Sequence, residues 1–226
     1  MSDFKGKTVI VTGAAGALGA AVAGHFAGLG ARIAQLDVVS IDNAHYSDTC
    51  DLTSHEACKT AVTAILGQFG SVDVLANIAG GFAMGDAVHE TSADTWNFMM
   101  GLNAQSVLNM ARAVVPIMIN QGHGKIVNVG ARAGLRGAPN MAAYSASKSV
   151  VIRLTESLAD EVKAQGVNVN CVLPSIIDTE RNRQDMPDAN FAAWVQPADL
   201  AGVIGFLASA AADSIHGAAL PVEGLS

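Results

Sequence analysis

A tyrosine and a lysine one helical turn apart are the residues of this chain best suited to move a proton. Tyr144 and Lys148 lie in the segment Met141-Ala-Ala-Tyr-Ser-Ala-Ser-Lys148, in a predicted helix over residues 142–165. Positions i and i+4 share one helix face, so the ammonium of Lys148 is expected beside the phenol of Tyr144. A nearby cation favours the phenolate and is expected to lower the pKa of Tyr144 from its ordinary value of about 10. The pair predicts acid–base catalysis, and the alternative is a coincidental pair on a helix face.

A glycine-rich turn follows the first predicted strand, at residues 8–11. Its sequence is Thr12-Gly-Ala-Ala-Gly-Ala-Leu-Gly19, and a helix is predicted to begin inside it at Ala17. Glycine allows the tight turn and lets backbone N–H groups and the positive helix end approach a pyrophosphate. Close packing of the helix on the strand is the alternative explanation. The residues expected to bind a dinucleotide here are Gly13, Ala15, Gly16, Ala17, Leu18 and Gly19.

An acidic residue lies where a dinucleotide-binding chain would place one. Asp37 ends the second predicted strand, 18 residues after Gly19, near the spacing at which a carboxylate meets the adenosine ribose hydroxyls. A carboxylate there repels a 2′-phosphate, so the sequence favours NAD(H) over NADP(H). Asp51 and Leu52, after the third strand, are predicted to flank the adenine. The alternatives are a solvated strand-end carboxylate for Asp37 and a helix N-cap for Asp51.

Strand-like and helix-like segments alternate along the whole chain. Half of the 226 residues are apolar and only 15% are charged, which suits a parallel sheet covered on both faces. The sequence predicts a single α/β domain over residues 1–226: a Rossmann-type, doubly wound parallel sheet of about seven strands with helices on both faces. One long helix is predicted over residues 93–121. The polar segment 174–197 is predicted to be a substrate lid.

Composition and charge limit the kinds of binding partner that the sequence predicts. A net charge of −7, with no run of Lys or Arg, argues against nucleic acid, and no apolar run approaches the roughly 20 residues that span a bilayer. The six histidines lack ligand spacing, so no metal is expected. The three irregularly spaced cysteines and an amino terminus without a leader pattern favour the cytoplasm. The expected partner is a small-molecule substrate.

Five motifs, in order, make the chain resemble the short-chain dehydrogenase/reductase family over nearly its whole length. They are the glycine turn 12–19, Asn77-Ile-Ala-Gly80, Asn103, Tyr144 to Lys148, and Pro174 to Thr179. The resemblance implies catalytic Tyr144, Lys148 and Asn103, with Asn103 holding a water that links Lys148 to solvent; a satisfied core amide is the alternative for Asn103. It also implies a homo-oligomer, a dimer or a tetramer. The further cofactor-binding residues that it implies are Asn77, Ala79, Gly80, Pro174, Ile176 and Thr179.

One departure from the family pattern concerns catalysis directly. Ala131 occupies the position that usually carries the catalytic serine, and Gly130 offers no hydroxyl either. In this respect the chain resembles the serine-less subgroup around quinonoid dihydropteridine reductase, as it does in the segments Asp37-Val-Val39 and Ala79-Gly-Gly-Phe82. Loss of one oxyanion donor commonly costs about 3 to 4 kcal/mol. The sequence therefore predicts an activated acceptor, such as a quinonoid ring or a conjugated carbonyl.

Phe82, Ala131, Met141 and Trp194 are predicted to form the substrate pocket, with a core position as the alternative for the three large side chains. The leading prediction is an NAD(H)-dependent oxidoreductase that transfers hydride to or from a carbonyl or quinonoid small molecule without a catalytic serine. A general carbonyl reductase, for example of 3-oxoacyl thioesters, and a non-catalytic dinucleotide-sensing protein are the alternatives. The sequence leaves open the substrate, the direction and the stereochemistry.

Overall fold

A seven-stranded, all-parallel sheet forms the centre of the protein in the computed structural model, which describes residues 4–42 and 45–226. The strand order is β3-β2-β1-β4-β5-β6-β7. Met1 to Asp3, the start of the segment expected to lack a leader, lie outside the described residues. The strands are β1 (Thr8–Thr12), β2 (Arg32–Asp37), β3 (Tyr46–Thr49), β4 (Val74–Asn77), β5 (Gly124–Val129), β6 (Val167–Pro174) and β7 (Ala219–Val222).

Helices cover both faces of this sheet. The side chains of β1 show why: Val9 and Val11 belong to one buried cluster and Ile10 to the other, as the two-residue period of a strand requires. The first cluster includes residues of α1 and α7, and the second includes residues of α2, α4 and α5. The predicted α/β fold is confirmed. The helices are α1 (Ala17–Gly28), α2 (His55–Phe69), α3 (Ala93–Met100), α4 (Ser106–Gln121), α5 (Ala142–Val162), α6 (Glu180–Asp185) and α7 (Pro197–Leu207).

The strand order reverses at β1, which lies between β2 and β4. In open α/β sheets, the crevice at the carboxyl ends of strands next to such a switch point is where ligands bind. Thr12, the last residue of β1, stabilises this edge. Its hydroxyl accepts hydrogen bonds from the backbone N–H groups of Ile78 (3.0 Å) and Ala79 (3.2 Å), which holds the loop after β4 beside the glycine turn.

The helix predicted over residues 93–121 begins and ends at the predicted residues. It is not a regular α-helix throughout, because a π-helical turn at Gly101–Gln105 divides it into α3 and α4. A π turn closes i→i+5 hydrogen bonds inside a helix, and such turns are frequent at functional sites. This one contains Asn103.

The segment 174–197 is less irregular than the sequence indicates. It contains α6 and a short 3-10 helix at Phe191–Ala193. Asp178 holds its two ends together: the carboxylate accepts hydrogen bonds from Arg183 Nε (2.6 Å), Arg183 Nη2 (2.7 Å) and Gln196 Nε2 (2.9 Å). The Asp178 N–H also donates to the carbonyl of Val195. Its role as a substrate lid stays a prediction.

A buried carboxylate organises the opposite, amino-terminal edge of the sheet. Asp73 precedes β4 and accepts hydrogen bonds from the Thr8 N–H (2.9 Å) and the Ser71 hydroxyl (2.9 Å). It also accepts from Lys7 Nζ (3.0 Å) and lies 3.0 Å from His123 Nε2. Burial opposes ionisation of Asp73, but these hydrogen bonds outweigh it and lower its pKa. Among residues 4–42 and 45–226, no helix has the length and apolar character needed to cross a bilayer.

Candidate active site

A cleft of about 1390 Å³ opens at the carboxyl ends of the central strands, and it brings most of the predicted site residues together. The glycine turn and the end of β2 form one part of its lining. Helices α5 and α6 and the loops after β4 and β5 form another part. The predicted site residues that line it are Gly13, Ala15, Gly16, Ala17, Leu18, Gly19, Asp37, Asp51, Leu52, Ala79, Gly80, Phe82, Ala131, Met141, Tyr144, Lys148, Pro174 and Ile176.

The glycine turn has the shape that a phosphate group needs. Gly13 has a φ of +63°, and a Cβ there would lie 2.7 Å from the Cα of Ala79, so only glycine fits at this contact. Helix α1 begins just beyond, with Gly16 as its N-cap and no acidic residue in its first turn. Its first N–H groups therefore remain available toward the cleft. These residues fit a bound pyrophosphate.

Asp37 joins the glycine turn to the end of β2. Its Oδ2 accepts a hydrogen bond from the Ala15 N–H (3.0 Å), and its Oδ1 accepts one from the Val38 N–H (2.7 Å). These bonds, and a third that the Val39 N–H donates to Oδ1 (3.3 Å), all come from neutral backbone groups. The carboxylate lies in the cleft wall.

Asp51 and Leu52 form a second part of the same wall. The Asp51 carboxylate accepts hydrogen bonds from the hydroxyl (2.7 Å) and the N–H (2.9 Å) of Thr53, which lower its pKa. The N-cap of α2 is Ser54, whose hydroxyl accepts from the Ala57 N–H. Asp51 therefore shapes the turn before the helix and is not its N-cap.

Lys148 is buried at the floor of the cleft, with 5% of its surface exposed. Its Nζ donates a hydrogen bond to the carbonyl of Val129 at the end of β5 (2.9 Å). Burial lowers the pKa of Lys148 to about 8. A Cβ on Gly80 would lie 3.1 Å from the Lys148 ammonium, so the absence of a side chain at Gly80 leaves room for it.

Tyr144 does not have the lowered pKa that its spacing from Lys148 predicts. Burial raises the pKa of Tyr144 to about 12, and the ammonium of Lys148 is bonded to Val129. The prediction that Lys148 lowers the pKa of Tyr144 was therefore wrong. Loss of solvation disfavours the phenolate more strongly than the ammonium of Lys148 favours it. The phenol is therefore protonated at neutral pH. Phe82 packs against it, with ring centroids 4.9 Å apart and an interplanar angle of 88°.

Asn103 is fully buried and lies behind the cleft wall, outside the residues that line it. Its Oδ1 accepts from the Gly81 N–H (2.9 Å), and its Nδ2 donates to the Gly81 carbonyl (3.0 Å) and to the Ser147 hydroxyl (3.0 Å). The Ser147 hydroxyl in turn donates to the Tyr144 carbonyl (2.7 Å). Asn103 thus connects the loop after β4 to α5, and its role in holding a water stays a prediction.

Ser147 and Gly81 are functional neighbours that sequence reasoning did not identify. Ser147 lies three residues after Tyr144 on α5 and contacts Asn103 of the π turn, and its spacing from Tyr144 was the one available signal. Gly81 carries no side chain that could have indicated a role. Its contribution comes from its backbone N–H and carbonyl, which only the folded chain brings to Asn103.

Three other predicted residues lie away from the cleft wall. Asn77 is buried and donates from its Nδ2 to Asn128 Oδ1 (2.8 Å), a bond between neighbouring strands. Thr179 is the N-cap of α6 and accepts from the Asn182 N–H. Trp194 is 5% exposed and packs on Phe191, so the structure corrects its predicted place in the pocket to the alternative, a core position.

The serine position of the family is occupied by a buried methyl group. Ala131 follows β5 and lines the cleft, with 5% of its surface exposed. A Cβ on the preceding Gly130 would lie 2.8 Å from Leu173 Cδ2 and 2.9 Å from Cys171 Sγ. The site therefore has no hydroxyl at either position and no space for one at Gly130. Within the described parts of the chain, no three His, Cys, Asp or Glu residues cluster as metal ligands would.

Comparison with known proteins agrees with this geometry. The family model described as short chain dehydrogenase matches residues 7–190. A 2-dehydro-3-deoxy-D-gluconate 5-dehydrogenase of Dickeya dadantii is 30% identical, over 98% of this chain and 96% of its own length. A 3-oxoacyl-(acyl-carrier-protein) reductase of Vibrio cholerae is also 30% identical, over 98% of both chains. The crystal structure of an NAD⁺-bound xylitol dehydrogenase superposes with a TM-score of 0.88 at 29% identity, covering 98% of this chain and 99% of its own.

These relatives do not single out the serine-less dihydropteridine reductase subgroup, so that narrower resemblance stays a prediction. The superposition agrees with the overall α/β fold. The family match covers far more than half of the chain. The chain belongs to the short-chain dehydrogenase/reductase family of oxidoreductases.

Proposed function

We propose that this protein is an NAD(H)-dependent oxidoreductase that transfers hydride between the nicotinamide and a carbonyl or quinonoid small molecule, without a catalytic serine. One observation carries the proposal. Tyr144 and Lys148 line the same cleft as the glycine turn and Asp37. A proton-transfer group and a dinucleotide cradle thus share one cavity.

The dinucleotide is held by backbone and by one carboxylate. The first N–H groups of α1 would hold the pyrophosphate, and Asp37 would bind the adenosine ribose. Asp51 and Leu52 would flank the adenine, and Pro174 and Ile176 would border the nicotinamide end. Because Asp37 is fixed by backbone N–H groups, it cannot turn away from a 2′-phosphate without losing hydrogen bonds. This supports NAD(H) as the cofactor in preference to NADP(H).

Tyr144 is the proton donor in the reducing direction. Its raised pKa keeps it protonated at neutral pH, and its phenol has no hydrogen bond within the described residues, so it is free to bond a substrate oxygen or nitrogen. Lys148, buried beneath the same cleft, is positioned to approach the cofactor ribose and to stabilise the phenolate that remains after the proton has left. The nicotinamide, when bound, supplies or accepts the hydride.

The missing hydroxyl at Ala131 restricts the substrate. A developing negative charge on a substrate oxygen would receive one hydrogen bond from Tyr144 and none from residue 131. We therefore propose an acceptor that is already activated, such as a quinonoid ring or a conjugated carbonyl, as in the subgroup around dihydropteridine reductase.

A general carbonyl reductase is the second candidate. It is supported by the 30% identity to the Vibrio cholerae 3-oxoacyl-(acyl-carrier-protein) reductase over nearly the whole chain. A dinucleotide-sensing protein without catalysis is the third. Kinetics with NADH and three acceptors, a quinonoid pterin, a quinone and a 3-oxoacyl thioester, separate the three candidates.

The experiment that tests the proposal compares the protein with its Tyr144→Phe variant. We expect NADH to bind both with similar affinity in a fluorescence titration, because the phenylalanine ring preserves the packing. Turnover of the best acceptor is expected to fall about 10²- to 10⁴-fold in the variant. Undiminished turnover in the variant, or no binding of NADH by the parent protein, would refute the proposal.

Association and location are also proposed. We propose a homo-oligomer, a dimer or a tetramer, because α3 and α4 expose large apolar side chains, namely Trp96 and Phe98 on α3 and Leu108 and Ile119 on α4. Light scattering of the purified protein tests the oligomer. We also propose a cytoplasmic location and no nucleic-acid partner, supported by the negative net charge.

A further inference from the structure

Phe82 is a large aromatic side chain that the fold leaves open to the cleft. It follows the two glycines of the loop after β4, and 55% of its surface is exposed. One part of its ring packs on Tyr144 at a centroid distance of 4.9 Å and an angle of 88°. A side chain that only filled the core would be covered on all sides. The exposed surface of the Phe82 ring is therefore available for contact with a bound molecule.

The surroundings of Phe82 are apolar and adaptable. Met84, Leu102, Met141 and Met186 line the same cleft, and they come from three separate loops and the π turn. Methionine side chains adjust their shape and make favourable sulfur contacts with aromatic rings. The part of the cleft next to Tyr144 can therefore adapt its shape to a bound ring.

We propose that Phe82 is a specificity-determining residue of this site: its ring, held edge-to-face against the phenol of Tyr144, is the surface on which a flat, conjugated acceptor ring lies. The inference rests on the proposed oxidoreductase function and narrows its substrate class. A flat ring gains an aromatic contact on Phe82. A flexible aliphatic substrate gains less from the same surface, because it must also lose conformational freedom to lie against it.

The same contact makes Phe82 a positioning residue for Tyr144. The phenylalanine ring covers part of the phenol and keeps water from it, and burial is the cause of the raised pKa of Tyr144. Replacing the ring with a smaller, flexible side chain admits water to the phenol. The pKa of Tyr144 is then expected to move down toward its ordinary value of about 10.

The chain offers a direct test of this contact, because it has only two tyrosines, Tyr46 and Tyr144. In a Tyr46→Phe background, the tyrosinate absorbance reports Tyr144 alone. With a pKa of about 12, roughly 3% of Tyr144 is ionised at pH 10.5, and a downward shift of one unit raises this to roughly 24%. We expect Phe82→Leu to raise the absorbance severalfold and Phe82→Trp, which restores a ring, to return it toward the parent value.

The control is Phe206→Leu in the same background, since Phe206 is a partly exposed phenylalanine on α7, away from the cleft. It should leave the tyrosinate absorbance unchanged. Circular dichroism at pH 10.5 must show that every variant keeps its helices, because an unfolded chain would ionise its tyrosine regardless of Phe82. Equal absorbance in the folded Phe82→Leu variant and the folded parent would overturn the inference.

The specificity is tested by the ratio of kcat/KM for a quinone to kcat/KM for an aliphatic 3-oxoacyl thioester, both with NADH. We expect this ratio to fall about 2- to 10-fold in Phe82→Leu and to be retained in Phe82→Trp and in the control. An unchanged ratio in Phe82→Leu would also overturn the inference. Failure of the parent protein to reduce either acceptor would refute the proposed function instead, and the tyrosinate measurement distinguishes the cases because it needs no cofactor.

Discussion

A methyl group at Gly80 is predicted to damage the active site without touching any substrate. The Cβ of a Gly80→Ala variant would lie 2.8 Å from Asn103 Oδ1 and 3.1 Å from Lys148 Nζ. Ordinary contact begins near 3.4 Å, so the Asn103 oxygen would have to retreat by about 0.6 Å. Its bond to the Gly81 N–H is already 2.9 Å long and would be stretched or lost.

The cost follows from the surroundings of Asn103. Its buried amide makes three hydrogen bonds to nitrogen and oxygen atoms, each contributing roughly 1 kcal/mol net, besides a longer contact with the Met99 sulfur. We expect Gly80→Ala to lower the free energy of unfolding by about 1 to 3 kcal/mol. We also expect kcat/KM to fall at least about 10-fold, since Lys148 must move as well and small misplacements of catalytic groups are costly.

The assay is urea denaturation together with steady-state kinetics, with Gly67→Ala as the matched control. Gly67 lies inside α2, and a Cβ there would meet no atom within 4 Å. Alanine at that position should stabilise the helix by about 0.5 to 1 kcal/mol and leave turnover unchanged. If Gly80→Ala matched Gly67→Ala in both stability and turnover, the reasoning about the contact with Asn103 would be refuted.

Three further predictions concern the serine position, the cofactor and the opposite edge of the sheet. Ala131→Ser should leave the natural reaction nearly unchanged and raise activity on simple ketones, by up to about 10² in kcat/KM; an equal gain on every substrate would contradict the proposed activated acceptor. Asp37→Ser should shift the ratio of kcat/KM for NADH over NADPH at least about 10-fold toward NADPH, and an unchanged ratio would exclude Asp37 as the ribose contact. Asp73→Asn should cost about 1 to 3 kcal/mol of unfolding free energy at pH 7. The pKa of Asp73 is lower in the folded than in the unfolded state, so its contribution to the free energy of unfolding is complete above the unfolded pKa of about 4. This contribution is lost as the pH falls through the folded-state pKa. In urea denaturation, a difference in unfolding free energy between parent and variant that stayed constant down to pH 2 would contradict this.

Several features of this protein follow from short-range sequence patterns. The alternation of strands and helices predicted the parallel sheet, and the two-residue period of β1 separates Val9 and Val11 from Ile10 as a sheet buried on both faces requires. The ends of α2 depend on equally local features: Ser54 is its N-cap, and Gly70 ends it in the left-handed conformation with a φ of +79°. Such features are decided within a few residues, because they depend on hydrogen bonds and side-chain directions inside one element.

The sequence by itself therefore determined which reactive and binding groups the protein has, and how the groups within one helix or turn are spaced. These groups are the glycine turn, Asp37, and the pair of Tyr144 and Lys148. The tertiary structure decided their environment. It placed Trp194 in the core, put Asn103 on a π turn against Gly81, and partly buried Tyr144, so that the pKa of Tyr144 rises where spacing alone predicted a fall. Solvation and packing depend on residues far apart in the chain, and only folding brings those together.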